Sequence, residues 1–206
     1  MNEVLMGTVR TGEPTFSICV YCGSRSGNLP EFAALAEQVG NWIGKRGGQL
    51  VYGGGSNGLM GILANATLAA GGRVIGVIPE ALVEKEWAHN GCSELHIVET
   101  MHERKRIMAE RADAFLALPG GIGTLEEFFE VWTWRHLGYH DKPVGLLNAD
   151  GYYDKLLAFL QSAVASGFMT PLLMDLVQTG SQAQPLLESL IETAGMKPSK
   201  TRLDQI

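Results

Sequence analysis

The sequence predicts an α/β fold in which one doubly wound parallel sheet forms a single domain. Short apolar segments alternate along the chain with segments of helical periodicity, which is the order of a βαβ architecture. The apolar segments are continuous runs, as in strands of a parallel sheet that helices cover on both faces. With 206 residues, the chain is long enough for one well-buried domain and short for two. We therefore expect a Rossmann-like arrangement.

The first half of the chain contains two strand–loop–helix units and a third strand. Apolar residues recur at helical spacing after Pro30, a residue suited to the first turn of a helix, and the pair Gly71-Gly72 would end the second helix. The predicted elements are a strand at 17–22, a helix at 30–46, a strand at 49–52, a helix at 59–70 and a strand at 73–78.

The second half continues the alternation after a polar stretch, residues 80–94, that shows no clear periodicity. Thr100 and Glu103 have the spacing of a capping box, which opens the next helix. The predicted elements are a strand at 95–98, a helix to about 111, a strand at 114–118, a helix at 125–137, a strand at 144–147 and helices at 152–166 and near 185–193. We expect residues 15–195 to form the domain, with flexible segments at 1–14 and 196–206.

Composition limits the kinds of partner. The net charge of -6 argues against a general electrostatic grip on nucleic acid or an anionic membrane, so any phosphate must be held by a local site. Residues 1–14 contain no apolar run long enough for a signal segment or a membrane span. Three cysteines, an odd number, do not suggest a disulfide framework. We expect a cytoplasmic protein.

The loop Gly53-x-Gly55-x-x-Gly58 follows a strand and opens a helix, as a dinucleotide fingerprint does. The acidic residue expected at the end of the next strand, to bind a ribose hydroxyl, is displaced past Pro79. Two interpretations stay open from the residues alone. The loop either contacts a nucleotide, NAD included, or is a tight turn that lets a helix pack close to a strand.

A second glycine-rich loop, Pro119-Gly-Gly-Ile-Gly-Thr124, also joins a strand to a helix. Free backbone N–H groups, the positive end of the helix dipole and the Thr124 hydroxyl together suit a phosphate. Glu126 and Glu127 are expected in the first helical turn, where acids commonly complement the dipole. Beside a bound anion they would repel it, so one of them should have another role.

The segment Met101-His-Glu-Arg-Lys105 places Arg104 and Lys105 near the start of a helix, where cations are electrostatically disfavoured. Such a placement favours a compensating anion, either a phosphate or a carboxylate. The alternative is a solvated charged face, since Arg104 and Arg111 share one helical stripe with Met108.

Together, Met-His-Glu-Arg-Lys at 101–105 and Pro-Gly-Gly-Ile-Gly-Thr-Leu-Glu-Glu at 119–127 resemble the paired signature of one family. This is the Lonely Guy family of cytokinin riboside 5'-monophosphate phosphoribohydrolases, also labelled "possible lysine decarboxylase". Segments similar to the family's occur in the same order at 51–55, 58–61 and 142–148. The decarboxylase label has little chemical support, because amino-acid decarboxylation generally needs an electron sink such as PLP and no lysine stands in a recognisable Schiff-base setting.

The resemblance implies a Rossmann-like homodimer that hydrolyses nucleoside monophosphates without an organic cofactor or a metal. It matches Arg104 and Glu127 to the family's catalytic pair. Residue 81, an alanine, falls where the family has an acid after the third strand, so the choice between plain and modified adenine stays open. The residues expected to bind substrate are Lys105, Gly120, Gly121, Gly123, Thr124, Glu126, Met101, Gly54, Gly55, Gly23 and Ser24.

Two further hypotheses remain from the sequence. A non-catalytic sensor could use the same phosphate loop to bind a nucleotide without consuming it, although the presence of both Arg104 and Glu127 counts against this. An NAD-type oxidoreductase is favoured only by the glycine fingerprint at 53–58.

For the hydrolase, a carboxylate facing C1' would stabilise the positive charge that develops on ribose, and we assign that role to Glu127.

Overall fold

The computed structural model describes residues 13–195, and its centre is a sheet of seven parallel strands. In the order of the chain the strands are β1 Ser17–Tyr21, β2 Gln49–Tyr52, β3 Arg73–Pro79, β4 Glu94–Val98, β5 Ala114–Ala117, β6 Val144–Leu147 and β7 Val177–Gly180. In the sheet their order is β4-β3-β2-β1-β5-β6-β7. The predicted doubly wound parallel sheet is confirmed.

Eight α-helices accompany these strands in the described part of the chain. They are α1 Pro30–Lys45, α2 Gly58–Ala69, α3 Glu80–Glu86, α4 Met101–Glu110, α5 Ile122–His136, α6 Asp154–Ala165, α7 Pro171–Met174 and α8 Ala183–Gly195. Among residues 13–195, none of the helices has the length and apolar character that crossing a bilayer requires.

Two apolar layers form the core, one on each face of the sheet. Trp42 of α1, Leu63 of α2 and Leu187 of α8 belong to the layer on one face. Phe115 of β5 and Trp132 of α5 belong to the other. Because both faces are covered, the central strands are buried along their whole length and consist of continuous apolar runs.

Three elements of the structure were not predicted from the sequence. Helix α3 lies in the stretch that was expected to be irregular. It was not predicted because its charged sequence has no clear apolar stripe. The short edge strand β7, with the sequence Val-Gln-Thr-Gly, and the one-turn helix α7 before it were not predicted, since neither has a distinctive period. The predicted flexible segments 1–14 and 196–206 lie outside the described residues, apart from Glu13 and Pro14.

Candidate active site

The order of the strands reverses direction at β1, which has β2 on one side and β5 on the other. Ligands of doubly wound folds bind at such a switch point, beyond the carboxyl ends of the strands. Tyr21 and Ala117 are paired at the ends of β1 and β5, and the Gly23 N–H donates to the Pro119 carbonyl at 3.2 Å. A cavity of about 550 Å³ opens between the loops that follow these two strands. This volume is in the range of small-molecule sites.

The N-terminus of α5 faces this cavity. The helix begins at Ile122, three residues before the predicted start, and Gly121 is its N-cap. Among the described residues, a Cβ at Gly121 or Gly123 would meet nothing within 4 Å, so the backbone here is open to a ligand. Thr124 is buried, and its hydroxyl lies so close to Gly120 that a Cβ at that glycine would be 2.1 Å from Oγ1. Open N–H groups at a helix start are the expected setting for a phosphate.

The earlier start of α5 moves both glutamates out of the first turn, which holds no acidic residue. Complementing the helix dipole is therefore not the role of Glu126 or Glu127, since that effect fades beyond the first turn. The two side chains go to different places. Glu127 lines the cavity, whereas Glu126 forms an ion pair with Lys105 outside it.

Arg104 is buried rather than part of a solvated face, with 7% of its side chain exposed. Its Nε donates to the Val77 carbonyl of β3 at 3.1 Å, and its Nη2 donates to the Gly53 carbonyl after β2 at 3.2 Å. The remaining nitrogen, Nη1, lies 3.7 Å from Oε1 of Glu127. The planar guanidinium is therefore fixed by two strand-end carbonyls and presents one edge to the carboxylate.

Glu127 is held at the floor of the cavity, with 12% of its side chain exposed. Burial raises the pKa of the Cys22 thiol at the cavity wall, and the negative charge of Glu127 raises it further. That thiol stays neutral at physiological pH. Glu127 is thus a buried carboxylate with a cation beside it and an uncharged sulfur group nearby.

Lys105 joins α4 to α5 instead of lining the cavity. Its Nζ donates to Oε1 of Glu126 at 2.7 Å and to Oε1 of Glu130 at 2.8 Å. Burial disfavours the charged ammonium, but the hydrogen bonds to the two carboxylates outweigh it and raise the pKa of Lys105. Lys105 follows Arg104, and Glu126 precedes Glu127. This bridge therefore holds α4 and α5 together next to the Arg104–Glu127 pair.

Most of the residues predicted to form the site meet at the cavity. Those that line it are Arg104, Glu127, Gly120, Gly121, Gly123, Thr124, Gly23 and Ser24. The others among the predicted residues are placed elsewhere: Lys105 and Glu126 in the bridge between helices, Met101 with its Sδ 3.9 Å from Nη1 of Arg104, and Gly54 and Gly55 packed against protein. For these five, direct contact with substrate stays a prediction.

The fingerprint loop that suggested NAD is filled by the protein's own backbone. Gly54, at φ +78°, lies against Val77 and Ile78 of β3, and Gly55 forms a bridge with Ala88. A Cβ at Gly58 would lie 2.4 Å from the backbone of Ser24. The interpretation of this loop as a tight turn that allows close packing is the one the structure supports.

Several side chains of the cavity wall were not identified from the sequence, among them Arg25, Phe32 and Tyr152. Arg25 stands in the loop after β1, where its position on the carboxyl edge could have indicated it. Phe32 of α1 was identified only as an apolar helix residue, and Tyr152 follows β6 with no motif around it. Their rings meet edge to face at 5.4 Å. Only the tertiary fold brings these two aromatic residues to the site.

Sequence comparison assigns the chain to a family. The profile of a family described as "Possible lysine decarboxylase" matches residues 60–190. The cytokinin riboside 5'-monophosphate phosphoribohydrolase LOG7 of Arabidopsis thaliana is 49% identical over 175 residues, which cover 85% of this chain and 81% of that protein. A cytokinin riboside 5'-monophosphate phosphoribohydrolase of Rhodococcoides fascians is 53% identical over 156 residues, covering 75% of this chain and 79% of that protein.

Solved structures share the fold at lower identity. The molybdenum cofactor binding protein of Rippkaea orientalis has a TM-score of 0.64 at 23% identity, covering 88% of this chain and 98% of that one. The Moco carrier protein of Chlamydomonas reinhardtii has a TM-score of 0.66 at 20% identity, covering 90% and 100%. These likenesses concern the fold alone. The family profile and the sequence relatives confirm the resemblance that the motifs indicated: the chain belongs to the family of the cytokinin riboside 5'-monophosphate phosphoribohydrolases, also described as possible lysine decarboxylases.

Proposed function

We propose that this protein hydrolyses the N-glycosidic bond of a purine nucleoside 5'-monophosphate and releases the free base and ribose 5-phosphate. The observation that carries the proposal is the buried Arg104–Glu127 pair, 3.7 Å apart, in the same cavity as the open N-terminus of α5. The open N-terminus of α5 suits the phosphate of such a substrate, and the Arg104–Glu127 pair suits its reacting carbon. The names of the sequence relatives support the same reaction.

The phosphate would lie at the start of α5. Gly121 and Gly123 have open space beside their Cα atoms, so a phosphate oxygen can approach the backbone N–H groups closely. Because the net charge of the chain is negative, binding a phosphate requires a local site of this kind. Holding the phosphate fixes the distance from C1' to the carboxylate.

Glu127 would act at C1'. As the purine leaves, positive charge develops on the ribose ring, and a carboxylate facing it stabilises that charge and accepts a proton from the attacking water. The water oxygen forms the new bond to C1', and the electrons of the broken C–N bond leave with the base, which takes up a proton. The low exposure of Glu127 strengthens this electrostatic effect, because little solvent screens it.

Arg104 would orient Glu127 and keep it ionised. Two of its donors are already used by the Val77 and Gly53 carbonyls, and the edge that remains points at Glu127. This geometry favours the carboxylate, rather than the phosphate, as the partner of Arg104. An adjacent cation favours the charged form of a carboxylate, which is the form that stabilises the transition state.

The finer parts of the proposal concern the base, the assembly and the location. We propose an AMP-like purine, with cytokinin-type bases included, because both close relatives bear cytokinin names. We also propose a homodimer, as the family resemblance implies. A cytoplasmic location accords with Cys19, Cys22 and Cys92, which are all free thiols.

The test is chromatographic detection of free base after incubation with adenosine 5'-monophosphate, isopentenyladenosine 5'-monophosphate and NADH in parallel. We expect base from at least one monophosphate and none from NADH. Glu127→Gln should abolish the release while leaving nucleotide binding in place. The matched control is Glu110→Gln, because the Glu110 carboxylate pairs with Arg106 on the surface of α4. Binding of a monophosphate without any release would instead support the sensor.

A further inference from the structure

The two tyrosines after β6 hold the loop that precedes α5. Tyr153 is buried and its hydroxyl donates to the Leu118 carbonyl at 2.7 Å. Tyr152 lines the cavity and its hydroxyl donates to the Gly120 carbonyl, also at 2.7 Å. Two adjacent side chains thus bind carbonyls on either side of Pro119. None of the sequence motifs drew attention to this pair.

The turn that presents these tyrosines is built with strain. Asp150 has a φ of +50°, and Gly151, next to it, has a φ of +70°. The left-handed region costs a residue with a side chain free energy and is retained where its surroundings require it. The Asn148 side chain stabilises the turn, since its Oδ1 accepts from the Tyr153 N–H at 2.7 Å. A left-handed Asp150 and a hydrogen bond to the Asn148 side chain thus shape the turn that places Tyr152 and Tyr153.

The bond to the Gly120 carbonyl matters because this carbonyl belongs to the same peptide group as the Gly121 N–H, so holding one atom fixes the direction of the other. The Gly120–Gly121 peptide has a glycine on each side, so neither residue has a side chain that opposes turning the peptide over. In a trans peptide the carbonyl and the following N–H point in opposite directions. A turned peptide would direct the Gly120 carbonyl oxygen to where the Gly121 N–H now points, and a carbonyl oxygen repels an anion.

We propose that Tyr152 is a positioning residue for the phosphate, because its hydroxyl fixes the Gly120 carbonyl and so keeps the Gly121 N–H directed at the start of α5. This inference rests on the proposed function, in which the phosphate lies at that helix start. Within the described residues, the Gly121 N–H donates to no protein acceptor, so it is available to a ligand. The ring of Tyr152, packed against Phe32, keeps the hydroxyl in place.

Calorimetric titration with ribose 5-phosphate tests the inference without requiring turnover. Tyr152→Phe keeps the ring and its contact with Phe32 but removes the hydroxyl. We expect its Kd for ribose 5-phosphate to rise about fivefold, the usual effect of one neutral hydrogen bond. Binding of adenosine, which has no phosphate, should not weaken. With adenosine 5'-monophosphate as substrate, KM should rise more than kcat falls.

Tyr153→Phe is the matched control, because it removes a hydroxyl from the same loop but leaves the Gly120 carbonyl bonded. We expect a lower Tm and a smaller change in the Kd for ribose 5-phosphate. The inference is overturned if Tyr152→Phe binds ribose 5-phosphate like the wild type, or if adenosine binding weakens equally. A wild type that still hydrolyses the monophosphate in that case leaves the proposed function standing. A wild type that binds neither phosphate compound overturns both.

Discussion

Gly53→Ala should damage catalysis from outside the cavity. A Cβ at this position would lie 2.1 Å from Nη2 of Arg104. The guanidinium would have to retreat by more than about 1 Å to reach an ordinary van der Waals separation. It would lose its bond to the Gly53 carbonyl and its alignment with Glu127, which it now faces at 3.7 Å. Since a misplacement of about 1 Å can cost about a hundredfold in rate, we expect kcat to fall by about that factor.

The assay is steady-state base release together with thermal unfolding. The variant should lose about 1–3 kcal/mol of stability through overpacking and stay folded, and its KM should change little because Gly53 does not line the cavity. Gly195→Ala at the end of α8 is the control, since a Cβ there meets nothing within 4 Å in the described part of the chain. A Gly53→Ala variant with the wild-type kcat would refute the account of Arg104 as the group that orients Glu127.

Three further predictions concern the phosphate, the helix bridge and pH. Thr124→Val should raise KM about fivefold through the lost hydroxyl, with a smaller effect on kcat, as measured by steady-state kinetics. Lys105→Met should leave Glu126 and Glu130 unpaired, lower kcat about tenfold and cost about 2 kcal/mol in urea unfolding. Burial lowers the pKa of His140 to about 4 from 6.5, so the free energy of unfolding should fall by about 3 kcal/mol as the pH drops through that interval.

The surroundings of His140 explain why its pKa is lowered and why the folded state loses stability as the pH falls. Its Nε2 must donate to the Val131 carbonyl, 2.9 Å away, while its Nδ1 is buried and has no hydrogen-bond partner among residues 13–195. Protonation would add a buried N–H with no acceptor, so the folded state binds the proton less readily than the unfolded chain. The stabilisation is complete above pH 6.5 and is lost towards pH 4. His140→Gln should flatten this part of the profile, and an unchanged profile would contradict the assignment.

Most of the fold follows from local sequence patterns. Short apolar runs located β1 to β6, because strands of a parallel sheet that helices cover on both faces are apolar on both sides. The edge strand β7 and helix α7 have no such pattern, and α3 is a charged helix that only its surroundings define. Trp132 of α5 is buried, and its indole N–H donates to the Leu173 carbonyl of α7.

The sequence predicted the part of the candidate site in which one motif supplies both the backbone and the side chains. Gly120 to Thr124 and Glu127 form one loop–helix unit, so their proximity could be inferred from spacing alone. The burial of Arg104 could not, because it depends on carbonyls of β3 and of the loop after β2. The separation of Lys105 from Arg104 has a local cause, because adjacent residues of a helix point in different directions. Tyr152 reaches the cavity only through the order of the strands.

The most direct test of the central claim is the fate of adenosine 5'-monophosphate, or of its isopentenyl derivative, in water labelled with heavy oxygen. Hydrolysis at C1' predicts free base in equal amount to ribose 5-phosphate that carries one labelled oxygen at C1', and Glu127→Gln should yield neither product. Labelled inorganic phosphate with the nucleoside left intact would contradict the account, because the reaction would then occur at phosphorus. Equal release of base by wild type and Glu127→Gln would contradict the role of the carboxylate.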